Sequence, residues 1–118
     1  MNAVEDLLQA RTVKHWFASA RLDGATDERA AAYLSLLAAF SDRVGKSPDE
    51  LVEYCFLRKK DTGERFCSVQ RRGNVNTWIE EFVAAEGWTG KEAVVNGNAL
   101  RSFMIHNGAM IQGKAWRG

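Results

Sequence analysis

The longest apolar repeat at helical spacing runs from Thr26 to Val44, TDERAAAYLSLLAAFSDRV, where Tyr33, Leu36, Leu37, Phe40 and Val44 recur at i, i+3, i+4, i+7 and i+11. That period sets one large apolar side chain per turn on a single face, which is the pattern of a core helix. Thr26 is positioned to accept from the first free backbone N–H groups, and Asp27 and Glu28 bring negative charge to the positive end of the helix dipole. Gly45 supplies the left-handed stop after Val44, and Ser47-Pro48-Asp49-Glu50 opens a second helix at once.

The remaining pattern reads as further helices around this one. Val13, Trp16, Phe17 and Ala20, with Leu7 and Leu8 one to two turns earlier, predict a helix from Val4 to Arg21 that breaks at Leu22-Asp23-Gly24-Ala25. Leu51, Val52, Cys55 and Phe56 predict a helix from Pro48 to about Lys60 with a cationic last turn at Arg58-Lys59-Lys60. Asp61-Thr62-Gly63 is a turn signal. Beyond it, Phe66, Val69, Val75, Ile79, Phe82 and Val83 predict a helix from near Glu64 to Glu86 with a kink at Gly73-Asn74. Trp88, in the Gly87–Gly90 loop, is expected to plug the edge of the core. Val95, Leu100, Phe103 and Met104 mark a last helix from Lys91 to His106, stopped by Asn107-Gly108. The tail from Ala109 to Gly118 carries Met110, Ile111 and Trp116 and is expected to dock on the core or fray.

Composition narrows the fold class. The 118 residues fit one domain spanning 1–118, and a hydrophobic share of 46% supplies a core without metal or disulfide support. One proline and little apolar–polar alternation favour an all-α fold, a small bundle of about five helices. No run of about 18 apolar residues occurs, and the acidic start MNAVEDLLQ is unlike a secretory leader, so a cytoplasmic protein without a membrane partner is expected. The two cysteines, Cys55 and Cys67, read as free thiols in helical contexts.

Charge adds a functional clue. The net charge of +1 conceals an asymmetry: residues 1–57 hold six Lys/Arg against nine Asp/Glu, and residues 58–118 hold ten against six. Arg58, Lys59, Lys60, Arg65, Arg71 and Arg72 crowd into one stretch with only Asp61 and Glu64 between them, a local patch that attracts polyanions. A solvated helix face explains the same run equally well.

Enzyme chemistry finds no foothold in the sequence. No G-x-S-x-G elbow, paired histidines, Cys–His signature or Gly-rich phosphate loop is present, so no catalytic residue and no cofactor are assigned. His15 has no visible chemical partner and reads as a surface or capping residue. Cys55, Cys67, His15 and His106 lack the close spacing of metal ligands, and no metal is expected.

Thr26, Tyr33, Leu37 and Phe40, the Gly45-Lys46-Ser47-Pro48 turn, and Leu100-Arg101-Ser102-Phe103 followed by Asn107-Gly108 resemble the N-terminal core-binding domain of the tyrosine recombinase (phage integrase) family. The resemblance spans residues 12–108, mostly at packing positions. It implies a SAM-like bundle that forms one half of a clamp around duplex DNA. A recombinase catalytic domain or other recombinase subunits are the further partners it implies, and the nucleoid is the implied location. The family's catalytic half carries the tyrosine nucleophile, and no H-x-x-R box occurs in these 118 residues, so DNA cleavage is not expected of Tyr33 or Tyr54. Extra sequence around Lys59–Asn76 departs from the family pattern.

On this reading Arg58, Lys59, Lys60, Arg65, Arg71, Arg72, Lys91 and Arg101 contact phosphates, and Asn98 contacts a base edge, since a helix-borne amide bonds adenine bidentately. The alternative is a helical protein-interaction module, with the late tryptophans and Met110-Ile111 as an apolar anchor and the basic patch facing an acidic partner.

Overall fold

The computed structural model describes residues 4–21 and 28–111. The proposed cap Thr26-Asp27, the Leu22-Asp23-Gly24-Ala25 break and the tail beyond Ile111, with Lys114, Trp116 and Arg117, lie outside the described residues. Among the described residues, six helices and one two-stranded hairpin follow in the order α1 (Val4–Gln9), α2 (Arg11–Ala20), α3 (Glu28–Val44), α4 (Pro48–Tyr54), β1 (Phe56–Arg58), β2 (Arg65–Cys67), α5 (Val69–Ala85) and α6 (Gly90–His106). The fold is a small all-α bundle. No helix among the described residues is long and apolar enough to cross a membrane.

Trp16 sits at the centre, fully buried. Its indole stacks on Tyr33 of α3 at 5.4 Å and meets Phe103 of α6 edge-on at 5.4 Å, while its Nε1 donates to Ser102 Oγ at 3.2 Å. Placing the one polar atom of a large apolar ring against a hydroxyl lets the whole residue leave water without an unmet donor. A second aromatic chain, Phe40 to Phe82 to Trp88, ties α3 to α5 and to the loop before α6. Trp88 caps the core edge as its loop position predicts.

The stripe on α3 is rotated relative to the large-residue pattern. Ala30, Leu34, Leu37, Ala38, Phe40 and Ser41 are buried, whereas Tyr33, Leu36 and Val44 are half-buried flanks. Small residues turn inward where neighbouring helices approach closely, and the larger ones cover the margins.

Several expectations about the elements need correction. The first predicted helix is two, because Ala10 takes an extended conformation (φ −67°, ψ 133°) and serves as the N-cap of α2. The helix expected to run to Lys60 stops at Tyr54. The next one begins at Val69 rather than near Glu64, and an antiparallel hairpin pairs Phe56 with Cys67, Leu57 with Phe66 and Arg58 with Arg65. The cysteines consequently lie at the C-cap of α4 and on β2, not within helices. Gly63 closes the turn at φ +73°, a left-handed position where glycine carries no Cβ penalty, and the backbone N–H of Lys59 bonds the Glu64 carbonyl at 2.9 Å. The sequence contains this signal as short apolar runs, FLR and RFC, flanking an Asp-Thr-Gly turn.

Finally, α5 runs unbroken through Gly73-Asn74. Ser68 caps it by accepting from the Arg71 N–H, Asn74 bonds the Tyr54 hydroxyl, and Asn76 accepts from Arg101. Tertiary partners for these asparagines outweigh their weak helix propensity.

Candidate nucleic-acid interface

The hairpin concentrates the basic residues. Arg58, Lys59 and Lys60 leave β1 in an exposed run, and the pairing sets Arg65 directly opposite Arg58. Like charges in that relation repel, and the structure holds them by local contacts. The Arg58 guanidinium donates to the Gly63 carbonyl at 3.0 Å. Arg65 lies over the Phe56 ring at 3.8 Å and pairs with Glu53 at 3.3 Å. Lys59 pairs with Glu64 at 3.5 Å across exposed side chains, and Glu53 is shared with Arg11 at 3.6 Å. Such exposed pairs are worth little in water and leave the cations available to a polyanion.

Arg71 and Arg72 stand at the base of the hairpin, half-buried. Arg71 donates to the Tyr54 carbonyl at 3.1 Å with its guanidinium 4.9 Å from the Tyr54 ring, and Arg72 donates to the Met110 carbonyl at 3.2 Å. Each tethers a chain segment.

The other three residues assigned to DNA are placed differently. Lys91 is exposed in the first turn of α6. Arg101 bonds Asn76 while Gly97 packs against Val83, so α5 and α6 run antiparallel and Lys91 lies toward the end of α5 away from Arg72. Arg101 is only 2% exposed and is withdrawn from the phosphate contacts. Its Nε donates to Asn76 Oδ1 at 2.7 Å, one terminal nitrogen donates to Asn98 Oδ1 at 3.1 Å, and the other lies 3.8 Å from Glu80. Burial depresses the Arg101 pKa, and the Glu80 carboxylate opposes that effect. Gly97 makes the room, since a Cβ there would stand 2.9 Å from the Arg101 guanidinium. Asn98 is corrected for the same reason: its amide oxygen is committed to Arg101, so it cannot bond adenine bidentately without releasing a buried guanidinium.

Sequence reasoning missed this network because Arg101 sits one residue from the apolar Leu100, and helical periodicity gives no warning of a buried arginine. Asn76, Glu80, Gly97 and Asn98, spread over two helices, are the trace it leaves in the sequence.

Both tyrosines are packing groups. Tyr33 lies flat against Trp16, and Tyr54 is wedged between Trp78, at 5.0 Å, and Arg71, with its hydroxyl accepting from Asn74 at 2.9 Å. His15 is exposed, and His106 shares a 2.6 Å hydrogen bond with Ser19. Burial pushes the Cys55 thiol up to about 11; the neighbouring Cys67 adds to this, and Arg71 and Arg72 oppose it. The apolar anchor of the alternative reading is divided, with Met110 62% exposed and Ile111 buried at 4%. Compared with protein-family models, curated proteins and solved structures, the chain gives no match.

Proposed function

We propose that this chain is a duplex-DNA-binding domain of the kind that forms the core-binding half of a tyrosine recombinase clamp, gripping backbone phosphates without cleaving them. The observation that carries the reading is the basic hairpin: Arg58, Lys59, Lys60 and Arg65 exposed on one two-stranded ribbon, with Arg71 and Arg72 at its base. A two-stranded ribbon fits the major groove of B-form DNA, and cations along it neutralise phosphates and release counterions. The hairpin's turn and its second strand fall within Lys59–Asn76, where the sequence departs from the family pattern, so the contact surface is this chain's own variation on the clamp. In the alternative, an interaction module anchored by the late tryptophans and Met110-Ile111, burial of Ile111 takes one residue out of that anchor.

Titration of duplex DNA at several salt concentrations tests the reading. The logarithm of affinity should fall linearly with log salt by about 0.9 per phosphate neutralised. Lys59→Ala with Lys60→Ala should flatten that slope by up to about two phosphate equivalents for all sequences alike. These lysines are the informative pair because both are exposed, whereas Arg71 and Arg72 also tether backbone carbonyls. Absence of duplex binding at low salt removes the proposal, and an unchanged slope in the double variant moves the contact surface off the hairpin.

A further inference from the structure

A second feature lies between the end of α3, the start of α4 and the middle of α5. Arg43, Val44, Lys46, Trp78 and Glu81 line a cavity of about 300 Å³. Trp78 and Glu81 are one turn apart on α5, and Gly45, at φ +80°, turns the chain so that Arg43 and Lys46 come to the same rim.

The aromatic wall is held in place. Trp78 leans on Tyr54 at 5.0 Å and 40°, and Tyr54 is fixed by the Asn74 amide on its hydroxyl and by the Arg71 guanidinium and the Lys46 ammonium, 4.9 Å and 5.3 Å from its ring. Lys46 already faces the Tyr54 ring. Among the described residues, the side chains of Arg43 and Glu81 have no hydrogen-bond or ion-pair partner, although both line this one cavity.

A fixed indole, two cations and a carboxylate in a recess of this size define the ligand by its chemistry. The indole offers a stacking surface for a flat heteroaromatic ring. Arg43 and Lys46 suit a phosphate, the guanidinium through paired N–H donors and the ammonium as a point charge. Glu81 accepts hydrogen bonds only. Guanine presents two adjacent donors, N1–H and the 2-amino group, to a carboxylate, whereas adenine presents a lone pair at N1 that a carboxylate repels. We infer that this cavity is a binding site for a guanine 5′-nucleotide, with the base against Trp78, its Watson–Crick edge on Glu81 and its phosphate on Arg43 and Lys46. The same chemistry is offered by a free mononucleotide and by an unpaired guanine at a phosphorylated strand end. The inference is independent of the hairpin's duplex contacts, which lie outside this cavity.

The test uses the whole chain in low salt. Guanosine 5′-monophosphate, its adenine and cytosine counterparts, and unphosphorylated guanosine are titrated while tryptophan fluorescence and binding heat are followed. Saturable binding of the guanine nucleotide at least tenfold tighter than that of the adenine nucleotide is expected. Glu81→Gln should erase most of that preference, since the amide no longer offers two acceptors. Arg43→Ala should weaken the nucleotide severalfold and leave guanosine unchanged. Both positions are exposed, so neither change should alter the far-UV spectrum. A 5′-phosphorylated single strand beginning with guanine, if bound tenfold tighter than the mononucleotide, assigns the site to strand ends; equal binding assigns it to the free nucleotide. No saturable binding at millimolar guanine nucleotide, equal affinity for guanine and adenine nucleotides, or indifference to both substitutions overturns the inference.

Discussion

Arg101 and Ser41 show two opposite ways of burying a polar group. Arg101 meets two amide oxygens and the field of Glu80, so its guanidinium is compensated where it stands. Removing it takes away the donors that Asn76 and Asn98 accept from and the guanidinium beside Glu80, and opens a cavity. Arg101→Ala should therefore cost about 2–4 kcal/mol in urea unfolding while leaving the salt slope of DNA binding unchanged. A flattened slope with little loss of stability would return Arg101 to the phosphate contacts. Ser41, by contrast, buries its hydroxyl without a hydrogen-bond partner among the described residues. Ser41→Ala should raise stability by up to about 1 kcal/mol, because it removes an unmet polar group and improves helix propensity together. The cysteines differ in accessibility as well. Cys55 is buried with its thiol pushed up to about 11, and Cys67 is half-buried on the hairpin. A thiol reagent at pH 8 should label Cys67 well before Cys55 in the native protein, as peptide mass analysis would show.

At the scale of elements, local chemistry decides where helices start, and pairing decides where the strands lie. The α4 start carries a full capping box: Ser47 Oγ accepts from the Glu50 N–H at 3.2 Å, and the Glu50 carboxylate accepts from the Ser47 N–H at 2.8 Å. Those bonds hold the Glu50 carboxyl below the usual carboxylate range. Ser47→Ala should cost about 1 kcal/mol, read as a shift of the denaturation midpoint. The hairpin is supported differently. With three residues per strand and Phe66 38% exposed, it buries little of its own surface, so it belongs to the low-stability end of the molecule. Its amides should exchange with solvent faster than those in the middle of α5 and α6, and Gly63→Ala, strained at φ +73°, should accelerate that exchange without changing helix content.

For the whole molecule, a single carboxylate joins distant parts of the chain. Asp49, in the first turn of α4, accepts from the Thr12 backbone N–H at 3.0 Å and from the Thr12 hydroxyl at 2.5 Å, fastening α2 to α4 across 37 residues. Burial acts to raise the Asp49 pKa; the bonds from Thr12 and the nearby Arg11 charge outweigh it, and the net value is lowered. A carboxyl whose folded pKa lies below its unfolded one contributes stability that is present above the unfolded value, about 3.9, and lost as pH falls through the folded value. Unfolding measured from pH 6 down to pH 2 should therefore weaken more steeply in the native protein than in Asp49→Asn. Coinciding curves would show that the bonds to Thr12 do not favour the ionised form.

Sequence alone determined what depends on neighbours a few residues away. The 3.6-residue period over α3, the Ser47–Glu50 cap, the stops at Gly45 and Asn107-Gly108, and the all-α class were legible because each rests on local backbone hydrogen bonds and on one apolar face per helix. Only tertiary structure decided which face of α3 turned inward, that Phe56–Arg58 and Arg65–Cys67 would pair instead of extending two helices, and that α5 would pass through Gly73-Asn74 without a kink. It also decided the fate of the charges. Arg58, Lys59, Lys60 and Arg65 stayed in water on the hairpin, while Arg101 was drawn into the bundle by amides on two helices. The physical reason is that desolvating a cation is costly unless its donors are met, and the groups that meet those of Arg101 include one 25 residues away along the chain, beyond the reach of any local pattern.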